Sequence, residues 1–504
     1  MTIPQAVAPS VKTPGLYLTV DLLGANANAG SAVNAAVIMS PQNSTGGDIT
    51  NDTEVRQVFG PDDVRTALGA GNPGHLAAKQ FFKRFGTGRL YVISPTPSAG
   101  AAATATQTFT GSATENSTVR FRVHGRTVDV AWNSGEANTV FIARAVAAIN
   151  GRGDDLFVTV AANTDDIDYT AKALGPWGND VRIDASIIAG GAGITIGANP
   201  ATLTAGATEP DFTTALAQIA TTEYLRIIPC LSNADASDAT ATSNAERVKD
   251  HINANETGAS AKLQVGVVGH TGTIANVSAG AVGRNDEAFE YIYGQDFEDL
   301  PSELAGNEAG DALRFIAIRA NYNRIGNKPV DLKGPRDVVA SKLTPGEIEA
   351  LLNTGVSPYD LEQLTNEVTL VRPITTHSLD GANPDFRALD LPDTDGMYTV
   401  SADLRTVLPT EFANASVTED IPPGGDDLPP GVIERRDIQA FIIARLRLWV
   451  GLGVVQQARL DASIADGSLV VEINSSDPTQ VDIFLPLAII KPLAKLGVVT
   501  SKVA

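Results

Sequence analysis

Sulfur and imidazole are scarce in this sequence: one cysteine, three methionines and five histidines are spread over 504 residues. The single Cys230 cannot close an internal disulfide, which excludes a disulfide-framed scaffold. It sits in the apolar run 224–231, where burial raises a thiol's pKa and leaves it inert. His75, His124, His251, His270 and His377 never recur at metal-ligand spacing. Long apolar runs are absent too. The longest, such as 224–231 and 483–490, fall short of the ~18 residues of a membrane helix. Residues 1–14 carry neither a basic n-region nor an apolar h-region, which predicts a chain that folds in the cytoplasm where it is made. The Asn-x-Ser/Thr triplets at Asn43, Asn51, Asn116, Asn276, Asn414 and Asn474 are then chance matches, since glycosylation requires secretion.

Positive charge is also in deficit. Lys and Arg total 37 against 58 Asp and Glu, and the net charge of −21 repels nucleic acid and anionic membranes as principal partners. The excess is uneven: residues 285–311 hold nine carboxylates and no Lys or Arg, residues 379–437 hold thirteen against four Arg, and residues 314–342 carry seven basic groups against two acidic ones. Such runs are read as solvated faces, or as patches that meet between neighbouring copies.

What is present describes folded protein. With 43% hydrophobic residues, 19% charged residues, 46 Gly and 28 Pro, the chain is long enough for two to four turn-rich domains. Residues 1–23, punctuated by Pro4, Pro9 and Pro14, read as an arm whose one strand-like piece is Gly15, Leu16, Tyr17, Leu18, Thr19 and Val20. Residues 24–97 then turn α/β, with strands at 35–39 and 89–94 around a helix at 75–85. An Ala/Gly/Ser/Thr linker opens a β-rich segment, 98–209. There residues 119–123 and 127–132 alternate as half-buried strands flanking His124-Gly125-Arg126, with a helix at 141–149 and a strand at 157–161. Residues 210–376 alternate helix and strand again, giving helices at 212–220, 246–254 and 313–322 and strands at 224–231 and 263–269. A helix from Thr344-Pro345-Gly346-Glu347 carries a capping box and ends at Gly355. In residues 377–489 a long helix over 437–460, interrupted by Gly451 and Gly453, leads to a hairpin of 469–473 with 481–485. Residues 490–504 form a second arm, strand-like at Leu496, Gly497, Val498, Val499 and Thr500. The fold class is mixed, α+β with α/β layers, in several domains.

A search for chemistry returns little. Gly69-x-Gly71-x-x-Gly74 has dinucleotide-loop spacing but follows a helical run where that device needs a strand. Asp390, Asp393, Asp395 and Gly396 resemble part of a calcium loop, yet Leu391 and Ala402 stand where its first and last acidic ligands belong, so a solvated acidic turn is the reading. No nucleophile elbow or P-loop occurs. Catalytic residues, cofactors and metals are therefore expected to be none. An α/β enzyme would explain residues 224–269 but lacks a cofactor loop, and a β-rich surface adhesin would need an export signal.

A series of short motifs changes the weighting: Pro14-Gly15-Leu16-Tyr17; Glu54 through Phe59-Gly60; Gly175-Pro176-Trp177-Gly178-Asn179; Val330 through Gly334-Pro335; Leu351 through Gly355-Val356; Val371-Arg372-Pro373-Ile374-Thr375-Thr376; and the C-terminal hairpin from Val471 to Pro486. In this order the chain resembles contractile bacteriophage tail sheath proteins, in particular the Mu-like type. The resemblance implies an α/β sheath core built from N- and C-terminal parts, with 377–489 as its conserved C-terminal domain, 98–209 as an inserted domain, and both arms extended. It further implies a virion tail protein, assembled in the host bacterial cytoplasm, whose subunits form stacked hexameric rings around an inner tail tube protein, meet baseplate and tail terminator proteins, and contract by repacking. The two arms would pair as strands with neighbouring subunits, touching no nucleic acid directly and inserting into no membrane. The sheath of a related injection device, tailocin or secretion type, is the alternative.

Overall fold

The structure, a computed structural model, describes residues 35–490 apart from 201, 223, 257–261, 295–299, 319–342, 362–367, 422–427 and 478. It begins with β1 (Ala35–Met39), β2 (Arg56–Val58), α1 (Pro61–Leu68), α2 (Pro73–Arg84) and β3 (Arg89–Ile93). All five residues of β1, Ala-Ala-Val-Ile-Met, are buried, as an unbroken apolar run must be when both faces of a parallel sheet are covered. Asn72 caps α2 by accepting from the Gly74 N–H, with Pro73 in the first turn.

The chain then leaves this sheet for a β unit. Its elements are β4 (Thr104–Gly111), β5 (Ser117–Val123), β6 (Arg126–Trp132), α3 (Asn138–Asn150), β7 (Val158–Asn163), β8 (Asp166–Ala171), β9 (Ile183–Ala189) and β10 (Ile194–Ile196). They make a four-stranded sheet ordered β10-β4-β8-β7 and a three-stranded sheet ordered β6-β5-β9. Phe109, Phe121, Trp132 and Phe141 fill a separate hydrophobic core, with Trp132 stacked on Phe141 at 4.1 Å between ring centroids. The β5–β6 turn is two residues long, His124 and Gly125, both at positive φ (36° and 74°), as a tight hairpin demands. Arg126, expected in the turn, is the first residue of β6.

Back in the first sheet come α4 (Thr213–Ile219), β11 (Arg226–Pro229), α5 (Asn233–Ser237), α6 (Asn244–Asn255), β12 (Val265–His270), α7 (Ile274–Arg284), β13 (Phe289–Tyr293), α8 (Pro301–Ile318), α9 (Pro345–Asn353), β14 (Val356–Leu361) and β15 (Val368–Leu370). The sheet has eight strands, β15-β14-β13-β12-β11-β1-β3-β2, with the six inner strands parallel and the two edge strands antiparallel. This is the expected mixed α/β class. The Thr344–Glu347 capping box starts α9, and Gly355, at φ 78°, turns the chain into β14. Helix α8 lies directly on α2 because Gly306 and Gly310 present no side chain there. A Cβ on either would sit 2.4 Å from the Ala77 carbonyl oxygen or 2.7 Å from that of Phe81.

The C-terminal part holds β16 (Leu379–Asp380), β17 (Asn383–Pro384), α10 (Leu391–Glu411), β18 (Ser416–Thr418), β19 (Val432–Glu434), α11 (Arg435–Gly451), α12 (Gln457–Ala465), β20 (Val470–Ile473) and β21 (Val481–Phe484). Its apolar residues, among them Tyr398, Ile442, Leu446 and Trp449, are continuous with the core of the large sheet. The single long helix expected over 437–460 is two helices. Gly453, at φ 73°, lies in the break between them.

Three further expectations are corrected. The helix placed at 313–322 begins twelve residues earlier, at Pro301. The described part of the acidic stretch 285–311 is largely not a solvated face: Asp286, Glu290, Glu303, Glu308 and Asp311 are all buried. The acidic turn at 390–396 is the start of α10. Asp390 stands at its N-cap and pairs with Arg372, Asp393 lies in the first turn where the helix dipole favours a carboxylate, and Asp395 is buried.

Candidate assembly surfaces and the crevice at the strand ends

In open α/β sheets ligands bind beyond the carboxyl ends of the strands, where the strand order reverses. Here that point lies between β1 and β11, since the chain runs outward from β1 to β3 on one side and from β11 to β14 on the other. The crevice is filled by the chain itself. The 3-10 turn Pro176–Asp180 at the end of the β unit inserts Trp177, whose indole N–H donates to the Cys230 carbonyl at 2.8 Å. Beside it, Asp180 accepts from the backbone and side-chain N–H groups of Asn233, both at 2.9 Å. Burial pushes the Cys230 thiol up to about 12, consistent with an inert sulfur.

Other contacts fix the β unit to the sheet. Arg126 forms a two-pronged ion pair with Glu303 at 3.2 and 2.5 Å, with both side chains buried. Lys172 donates to the Ala70 carbonyl at 2.9 Å and to that of Gly153, and burial lowers its pKa to about 8. Lys79 reaches Asp155 at 2.7 Å. The buried carboxylates of α8 thus serve internal joints. Arg226 of β11 meets Asp395 of α10 at 2.8 and 2.7 Å with no exposure of either, next to Glu290 and Glu308.

Three of the motifs that carried the resemblance, those around Trp177, Gly355 and Thr376, occupy structural corners. Gly355 packs on Thr376, with room for no Cβ, since one would lie 2.6 Å from the Thr376 carbonyl oxygen. Thr376 donates its hydroxyl to the Asp286 carbonyl, and its N–H to that of Phe289. The Trp177 segment is the crevice plug, a role that its sequence did not announce. Residues 330–335 lie outside the described residues.

The C-terminal hairpin is the clearest assembly candidate. β20 and β21 pair antiparallel from Val470 opposite Phe484 to Ile473 opposite Val481. On the β20 side, α11 closes the edge: Arg435 donates to the Val471 carbonyl at 3.1 Å and Gln439 to that of Leu469 at 3.2 Å. All four residues of β21 are half-buried. Two strands are marginal alone, so the hairpin depends on further contacts for its stability. The arm residues that sequence singled out, 15–20 and 496–500, lie outside the described residues. Among the described residues, no helix is long and apolar enough to cross a membrane, and no three His, Cys, Asp or Glu side chains are grouped to hold a metal ion.

No protein-family model matches the chain, and no curated protein matches it significantly. Among solved structures it is similar to the sheath tail protein Lin1278 from Listeria innocua, at 11% identity and a TM-score of 0.42 over 85% of this chain and 87% of that one. It is also similar to the sheath tail protein DSY3957 from Desulfitobacterium hafniense, at 13% identity and a TM-score of 0.43 over 92% of this chain and 97% of that one.

Proposed function

We propose that this chain is the structural subunit of a contractile phage tail sheath, one that polymerises with itself and performs no catalysis. The observation that carries the reading is the antiparallel hairpin β20–β21, formed where the sheath-like motif runs from Val471 to Pro486, in a chain whose two ends are strand-like in sequence. An arm strand added to a neighbouring subunit's sheet would make on the order of four backbone hydrogen bonds, each worth a net ~0.5–1.5 kcal/mol, enough to tether a neighbour and weak beside a folded core. The plugged crevice supports the same view. The position where an α/β enzyme of this topology would seat a ligand holds Trp177.

On this reading the subunits stack as hexameric rings around an inner tube, with baseplate and terminator proteins at the ends. The arms 1–23 and 490–504 bridge subunits, and contraction repacks rigid bodies while the arms stay paired. The segment 98–209 is an inserted peripheral domain, and 377–489 is the part that carries the shared hairpin. The sheath of a tailocin or a secretion-type device would use the same surfaces.

The test is truncation. Removing residues 1–23, or everything after Lys495, is expected to leave a cooperatively folding monomer that no longer polymerises, and proline at Leu18 or Val499 is expected to act in the same direction. Normal assembly by both truncated chains would refute the arm mechanism.

A further inference from the structure

Three carboxylic acids from three separate segments are tied to the adjacent residues Ser232 and Asn233 where the β unit joins the large sheet. Asp180 ends the 3-10 turn that plugs the crevice, Glu209 lies on the chain's return from β10 to α4, and Asp235 is in the first turn of α5. Ser232 and Asn233, just after β11, stand among them. The Ser232 hydroxyl donates to Glu209 Oε1 and accepts from the Asp235 N–H at 3.1 Å, while Asn233 donates twice to Asp180. Asp235 Oδ1 accepts from the Asn244 N–H at 3.0 Å. The second oxygens, Glu209 Oε2 and Asp235 Oδ2, are buried and have no hydrogen-bond partner, although Asp235 is only 5% exposed. A buried carboxyl oxygen without a donor beside it favours the protonated form.

The charged groups around the cluster do not neutralise it. On α7, Arg284 faces Asp235 but is spent on the Asp238 carbonyl, the Gly280 carbonyl, the Ser243 hydroxyl and, at 3.6 Å, Glu246 of α6. Asp238, at the end of α5, adds negative charge. His270 of β12, bound to the Ser237 hydroxyl at 2.9 Å, is held neutral by burial.

We propose that this joint is a proton-controlled latch: Asp180, Glu209 and Asp235 are held around Ser232 and Asn233 as neutral acids, and their ionisation drives the β unit away from the large sheet. Burial, reinforced at Glu209 by Asp235, pushes Glu209 up to about 8, while burial pushes Asp180 up to about 7 and Asp235 up to about 6. The sign follows: acids raised in the docked state bind protons that the undocked state has released. Docking is therefore strongest below about pH 4, weakens as pH rises from there to about 8, and levels off above that. This inference does not depend on the sheath reading.

The test is hydrogen exchange on the full chain at pH 5.5 and 8.5, corrected for intrinsic exchange, reading residues 98–106, 174–182 and 207–212 against β7–β8 as an internal reference. Protection of the joint is expected to fall on the order of tenfold or more between the two pH values. Glu209→Gln with Asp235→Asn mimics the protonated acids and is expected to stay protected at pH 8.5. Asp180→Asn is the alternative variant if that pair does not fold. Constant protection in the natural chain, or the same fall in a neutral variant, would overturn the proposal.

Discussion

Replacing Arg226 with methionine removes a guanidinium that Asp395 grips with both oxygens, at the centre of the large sheet and with no exposure of either side chain. Burial opposes the arginine's charge, and the combined pull of Asp395, Glu308 and Glu290 outweighs it. Methionine fills similar volume, so the loss is mainly electrostatic, and breaking a fully buried pair costs about 3–5 kcal/mol. For the body around this sheet that corresponds to roughly 6–20 °C in Tm, at ~2–4 °C per kcal/mol. The loss should depend on pH. Burial raises Glu308 to about 7 and Glu290 well above its ordinary range, with Arg226 pulling against both shifts. At pH 5.5 these acids are neutral and the missing cation matters less, whereas at pH 8 the variant concentrates negative charge around Asp395. Scanning calorimetry at the two pH values should therefore show the larger deficit at pH 8. The double variant Arg226→Met, Asp395→Leu should recover much of the loss. A Tm within about 2 °C of the natural chain at both pH values would refute the electrostatic argument.

Two further outcomes follow from the contacts between units. Glu303→Ala removes the Arg126 pair and the Leu300 N–H acceptor at the start of α8, so it should loosen the β unit at a cost of about 3–5 kcal/mol, read as faster proteolysis within residues 98–106. Gly306→Val forces a side chain against Ala77 and should separate α8 from α2, lowering stability by about 1–3 kcal/mol in denaturant melts.

The sequence was most legible where local chemistry decides conformation. The apolar run of β1, the alternating strands β5 and β6, the Thr344–Glu347 cap and the β20–β21 hairpin each carry their signal within a few residues. It was least legible where charge turns inward. β13 contains the fully buried Glu290, and α8 buries Glu303, Glu308 and Asp311, so both segments read as solvated acid. The cations that permit this burial, Arg84, Arg126 and Arg226, lie far away in sequence; Arg126 is 177 residues from Glu303. No periodicity reveals such a pairing. α10 was hidden in the same way, because Asp395 faces Arg226 and Gly396 must be small where Ile489 packs, with a Cβ only 2.9 Å from that side chain. The crevice plug was visible only as a motif, since the vacancy that Trp177 fills exists only once the sheet has formed.

The central claim is self-assembly through added strands, and electron microscopy of the purified full chain beside its Val481→Pro variant tests it most directly. Val481 belongs to the half-buried outer strand of the hairpin, where proline removes a ladder donor without touching the large sheet. The account predicts striated tubes or stacked rings from the natural chain and dispersed, folded monomers from the variant. Natural chain that stays monomeric across concentration and salt, or a variant that builds the same tubes, would contradict it.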